Sequence, residues 1–178
     1  MIKLIAFDFV GVLVREKESV LTDVQSNIER CFGPNVSDEQ FFNDVKNRFG
    51  YDKTLIENEV PIIINSLYKK RDEYLIDKLK QVFWGKIIVA TNHISYIDTF
   101  INNNFNVDDT IISANINKIK PNEDFYYEII KKYNLLPNEI LFLDDNRANI
   151  VGAQAIGINT ILVDRNTDIY SEILKVLN

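Results

Sequence analysis

The chain has 178 residues, 46% hydrophobic and 26% charged, with a net charge of −6. That balance suits one folded domain, or a core with a modest insertion, and excludes a disordered chain. The acidic balance and the lack of a long basic run argue against nucleic-acid binding through phosphate neutralisation, while a cation-bridged anionic ligand remains compatible.

In chain order, the apolar run Ile2–Phe7 predicts a first strand that ends at Asp8 and is followed by a turn through Gly11. Residues 15–65 predict a helical insertion, with Gly33-Pro34 and Gly50 as its breaks. Its helices read as polar with aromatic insets (Phe41, Phe42, Phe49, Tyr51), as expected of a small cap that packs only partly. Leu75, Leu79, Val82 and Phe83 stripe a further helix, which Gly85 would close. Four more strands follow at Lys86–Ala90, Thr110–Ile112, Ile140–Leu143 and Thr160–Val163. Helices are predicted at Ser95–Asn103, Glu123–Tyr133 and Asn146–Ile156. A final helix capped by Thr167 would turn Ile169, Ile173 and Leu174 inward.

Strand-helix alternation with nearly all-apolar strands indicates a parallel sheet covered on both faces. The expected fold is therefore α/β and Rossmann-like, with three layers around about five strands. Its core would comprise residues 1–14 and 66–178. Cys31 is the sole cysteine, which leaves no internal disulfide or thiolate metal site and points to a reducing cytoplasm. Asp8 interrupts the apolar start, so no signal peptide is expected. No apolar stretch approaches the roughly 20 residues of a membrane span.

Ligands in such sheets bind beyond the carboxyl ends of the strands. Asp8, Thr91-Asn92 and Asp144-Asp145 stand at three of those ends, and Lys120 falls in the loop after a fourth strand. Singly, each has a structural explanation as a turn or helix cap, and Lys118 competes with Lys120. Together they predict one crevice. Three converging carboxylates need a cation, and an all-oxygen site suits magnesium, which also binds substrate phosphate. Asp8 would attack phosphorus, Thr91 and Asn92 would hold phosphoryl oxygens at a helix N-terminus, and Lys120 would bridge Asp8 and the phosphoryl group. His93, the only histidine, reads as a loop or helix-start residue beside this pocket.

These residues resemble the haloacid dehalogenase superfamily of hydrolases. The four motifs, in the family's order, are Phe7–Leu13, Ala90–Asn92, Lys120-Pro121 and Leu141–Asn146. The last continues through Asn149, Gly152, Ala153 and Gly157 to Ile161–Val163. The insertion is similar in position to the helical cap of the first cap class, and the fourth motif looks most like the glucose-1-phosphate phosphatase branch. The resemblance implies Asp8 as nucleophile, Thr91 as phosphate ligand and Lys120 as stabilising cation. It makes Asp8, the Val10 backbone carbonyl, Asp144 and Asp145 the ligands of Mg2+, and a small phosphorylated metabolite the substrate.

Residue 10 departs from the pattern. Most phosphatases of the superfamily carry aspartate there as general acid and base, and Val10 transfers no proton. That assistance is worth about 10²–10⁴-fold. Substrates whose leaving oxygen needs little protonation, such as anomeric sugar, aryl or acyl phosphates, would suffer least. The resemblance thus implies a weakened or selective phosphatase. One alternative is a catalytically inactive phosphate- or partner-binding protein. Another is a dehalogenase or a phosphonatase, the latter using a cap lysine for which Lys53 is the candidate.

Overall fold

The computed structural model of the chain describes residues 1–33 and 37–177. In chain order its elements are β1 (Leu4–Phe7), β2 (Val14–Glu16), α1 (Asp23–Glu29), α2 (Asp38–Phe49), α3 (Lys53–Leu67) and β3 (Tyr68–Lys70). There follow α4 (Leu75–Val82), β4 (Lys86–Thr91), α5 (Ile97–Asn104), β5 (Asp109–Ile112), α6 (Ser113–Ile116) and α7 (Glu123–Tyr133). The chain closes with β6 (Ile140–Asp144), α8 (Arg147–Ala155), β7 (Asn159–Leu162) and α9 (Ile169–Leu177).

The five predicted strands form one parallel sheet in the order β5-β4-β1-β6-β7. β1 takes the centre because all four of its side chains are apolar and suit burial on both faces. Alternate residues divide between two clusters. Ile5, Phe7, Ile87, Val89, Leu141 and Leu143 meet α4, α5 and α9 on one side. Leu4, Ala6, Ile88, Ala90, Ile140 and Phe142 meet α7 and α8 on the other. Each fully buried Leu, Ile or Phe contributes roughly 1.5–3 kcal/mol, so both layers are firmly held.

Register then sets the site. Phe7 stands opposite Val89 and Leu143, and the Asp8 N–H donates to the Leu143 carbonyl at 2.8 Å. The chain therefore leaves β1 level with the ends of β4 and β6.

Several expectations are corrected. Helix α4 ends at Val82 and the chain is already extended at Phe83; Gly85 is needed because a Cβ there would lie 2.2 Å from the Lys3 carbonyl oxygen. The start of α9 is capped by Asp168, whose Oδ1 accepts the Ser171 N–H at 3.1 Å. Thr167 instead closes the preceding turn, accepting the Asp164 N–H at 2.8 Å. Pro34 lies outside the described residues.

Helices α1–α3 do not pack loosely either. Ile56, Val60, Ile63, Ile64 and Leu67 of α3, with Ile28 and Phe41, join the same buried cluster as the sheet's face. The helix extends to Leu67, and the insertion is flanked by the antiparallel pair β2-β3, in which Val14 faces Lys70 and Glu16 faces Tyr68. Among the described residues, no helix is long and apolar enough to cross a membrane.

Candidate active site

Asp8 follows β1, Thr91 ends β4 and Asp144 ends β6, so three adjacent strands deliver their polar residues to one rim. Lys120 arrives from the loop before α7. Its ammonium is buried and lies 2.8 Å from Asp8 Oδ1, 2.8 Å from Asp144 Oδ2 and 3.0 Å from the Ala90 carbonyl. Three acceptors match the three ammonium hydrogens. Lys118 turns to Glu128 instead.

Two side chains hold this lysine in place. The Asn92 amide clamps the lysine's own main chain, with Nδ2 donating to the Lys120 carbonyl and Oδ1 accepting its N–H, both at 2.9 Å. The expectation that Asn92 sits at a helix N-terminus is corrected: α5 starts only at Ile97, and the Asn92 side chain is committed to the lysine loop. Asn149 donates to both Asp144 oxygens, at 3.1 and 3.0 Å, and the Asn146 N–H reaches Oδ1 at 2.8 Å. Asn149 belonged to the recognised motif, but nothing in its spacing indicated that it grips Asp144.

One carboxylate oxygen from each of Asp8, Asp144 and Asp145 lies within 4.8 Å of the others. Burial, then the charge of Asp8, pushes the Asp144 carboxyl up to about 6 against the pull of Lys120. The same two causes raise the Asp145 carboxyl. Burial opposes a charge on Lys120, yet Asp8 and Asp144 together raise its pKa above the ordinary lysine value. Three carboxylates against one ammonium leave an excess of negative charge that an oxygen-loving divalent cation would neutralise. The cluster could therefore bind a metal.

Gly11 makes room for this arrangement. Its φ is +86°, and a Cβ would fall 2.1 Å from Asp145 Oδ2. The turn thus lets the Asp145 carboxylate press against the backbone beside Val10. Arg71, which no motif pointed to, fixes the turn: its guanidinium donates to the Gly11 carbonyl at 3.1 Å and to the Thr167 carbonyl at 3.0 Å.

His93 is buried at the edge of this rim. Its Nε2 lies 3.1 Å from the Tyr68 hydroxyl and its ring packs against Phe32. Burial lowers its pKa to about 4, so the imidazole is neutral and structural. Lys53 engages Glu57 at 3.6 Å and the Phe42 ring, neither of which belongs to the carboxylate cluster.

A family model described as haloacid dehalogenase-like hydrolase matches residues 5–163, nearly the whole chain. The chain belongs to this family of hydrolases. Solved structures agree on the hydrolase fold. A HAD family enzyme from Bacteroides thetaiotaomicron, in complex with magnesium and inorganic phosphate, is 18% identical with a TM-score of 0.71, covering 97% of this chain and 99% of its own. A predicted phosphoglycolate phosphatase from Haemophilus somnus 129pt is 17% identical with a TM-score of 0.66, covering 99% and 98%. A 2-haloacid dehalogenase from Pseudomonas syringae pv. Tomato DC3000 is 15% identical with a TM-score of 0.68, with the same coverage of 99% and 98%. Structures of this fold thus include one described as a predicted phosphatase and one described as a dehalogenase.

Proposed function

We propose that this hydrolase is a magnesium-dependent phosphatase acting on a small phosphorylated metabolite through an aspartyl phosphate on Asp8. The observation that carries the reading is the buried Lys120 ammonium, 2.8 Å from both Asp8 and Asp144, beside a surplus of carboxylate. Lys120 holds and aims the Asp8 carboxylate, which a nucleophile requires.

Asp8, the Val10 backbone carbonyl and Asp145 would hold the ion. Asp144 takes a smaller part in this than its place in the motif implied. Its two oxygens already accept bonds from Lys120, Asn146 and Asn149, so its main task is to hold the lysine. When bound, magnesium supplies charge neutralisation to the phosphoryl group and to the carboxylates around it.

The chain's own residues do the rest. Asp8 attacks phosphorus in line, forming a phosphorus–oxygen bond as the bond to the leaving oxygen breaks. Thr91, buried at the end of β4, donates to a phosphoryl oxygen, and Lys120 stabilises the charge shared with Asp8. Val10 gives the departing oxygen no proton, so that oxygen leaves as an anion and is protonated by solvent. Water then attacks phosphorus, the bond from phosphorus to the Asp8 oxygen breaks, and the water's proton passes to solvent as phosphate and the Asp8 carboxylate are released. Leaving groups that are stable as anions are preferred. Helices α1–α3 act as the cap, whose last helix carries it two residues past the expected boundary at residue 65, to Leu67.

Val10 also favours a second reading, a pocket that binds phosphate without turning it over. A phosphatase panel with and without chelator decides between them. Magnesium-dependent phosphate release that vanishes in Asp8→Asn supports the enzyme; release unaffected by Asp8→Asn contradicts it, and binding with no release on any ester selects the second reading.

A further inference from the structure

A cleft of about 730 Å³ opens beside the carboxylates, and its lining includes Val10, Gly11 and Asp145 together with Arg15, Arg71 and Arg165. That size holds a small metabolite. The side chain at residue 10 is where an acid would meet a leaving oxygen, so Val10 marks the leaving-group side of the phosphoryl site. It faces the cleft with the three arginines.

All three arginines line the cleft, and among the described residues none of them forms an ion pair with a carboxylate. Most lysines near other acids are paired, so the contrast is local. Burial, then the charge of Arg15, lowers the pKa of Arg71, a sign that the repulsion is felt.

The three arginines differ in how far they are committed. Arg71 spends its guanidinium on the carbonyls of Gly11, Asp164 and Thr167. Arg15 is exposed and makes a single bond, from Nη2 to the Arg165 carbonyl at 2.8 Å, which ties β2 to the loop after β7 and leaves most of its fork available. Arg165 is exposed beside it. Two of the cleft's acids, Asp145 and Asp164, act on Arg71. Asp164 accepts bonds from the Asn166 N–H and the Thr167 hydroxyl within its own turn. Asp145 belongs to the carboxylate cluster, and Glu16 exerts its charge on Glu29 and Tyr68.

We propose that Arg15 and Arg165 form a second anion subsite, so that the preferred substrate carries a carboxylate or second phosphate on the leaving-group side of the phosphoryl group to be removed. This rests on the phosphatase reading for its placement. It is a statement about binding, however, and stands or falls separately. A planar guanidinium matches either anion with two parallel hydrogen bonds. The subsite also compensates for Val10, because binding energy far from phosphorus is available to orient a poorly assisted leaving group.

The test compares three substrates across parent, Arg15→Ala, Arg165→Ala and Arg15→Lys: an aryl phosphate with no second anion, a phosphorylated hydroxyacid and a sugar bisphosphate. The readout is the ratio of kcat/KM between a doubly anionic substrate and the aryl phosphate. The ratio should fall about 10- to 100-fold in Arg15→Ala, the range of one charge-assisted contact. Arg15→Lys should restore part of it. Loss on the bisphosphate alone identifies phosphate as the anion, and loss on the hydroxyacid alone identifies carboxylate. A ratio unchanged in both alanine variants, with phosphate still released, overturns the subsite and leaves the phosphatase reading intact.

The same substrates are titrated into the Asp8→Asn protein with magnesium, with and without Arg15→Ala. Binding that weakens about tenfold or more without Arg15, in a protein whose parent releases no phosphate, supports the subsite while refuting the phosphatase. Binding indifferent to Arg15 overturns it.

Discussion

Replacing Lys120 with methionine keeps most of the buried stem and removes the charge that joins Asp8 to Asp144. The ammonium is fully buried, the Asp144 side chain is 0% exposed and that of Asp8 is 12% exposed, so water offers little relief. Removing one partner from a buried ion pair costs about 3–5 kcal/mol, because the remaining charge is stranded. Asp144→Asn alone should cost less, about 1–3 kcal/mol, since Lys120 keeps Asp8 and the Ala90 carbonyl. In the double variant the strandings overlap, and the two penalties should fall short of their sum by roughly 1.5–3 kcal/mol. Urea denaturation of the four proteins at neutral pH in chelator measures this coupling. Penalties that add within about 0.5 kcal/mol would refute the claim that Lys120 and Asp144 act as one unit.

Other outcomes follow from neighbouring groups. In metal-free protein the Asp144 carboxyl titrates near 6 when folded, above its ordinary value of 3.8. The folded state therefore binds the extra proton between those values, and this contribution, present at low pH, is lost as pH rises through 6. The stability of the parent minus that of Asp144→Asn should accordingly fall across that window; a flat or rising difference counts against a strained Asp144. His93 should stay neutral until about pH 4 in an imidazole proton titration, and a midpoint near 6.5 would show that the ring is not buried against Tyr68. Gly11→Ala should weaken magnesium binding by about tenfold or more, read by calorimetry, because its Cβ displaces the Asp145 carboxylate. Val10→Asp should raise turnover of simple alkyl phosphates by about 10²-fold or more while changing aryl phosphates little; equal gains on both would contradict the account of leaving-group selectivity.

The sheet was legible because its strands carry so few polar residues. Ile87–Ala90 and Ile140–Leu143 are fully buried on both faces, and short apolar runs of that kind have few other homes. The site was legible for the opposite reason: Asp8, Lys120 and Asp144 are costly where they stand, and the register of β1 against β4 and β6 brings them together. What the chain did not reveal depends on contacts distant in sequence. The β2-β3 pair joins residues more than 50 positions apart through strands of three residues. Arg71 reaches Gly11 across 60 positions. Asn92 seemed poised for phosphate, but its partner is the Lys120 main chain. The insertion read as polar helices with aromatic insets, although the apolar stripe of α3 decides how it packs.

In the proposed reaction Asp8 carries the phosphoryl group. An acid quench during turnover with an aryl phosphate, followed by peptide mass analysis, measures this directly. The expected result is one phosphoryl group on the peptide containing Asp8, dependent on magnesium and lost in Asp8→Asn. Steady phosphate release with that peptide unmodified, or with the group on another residue, would contradict it.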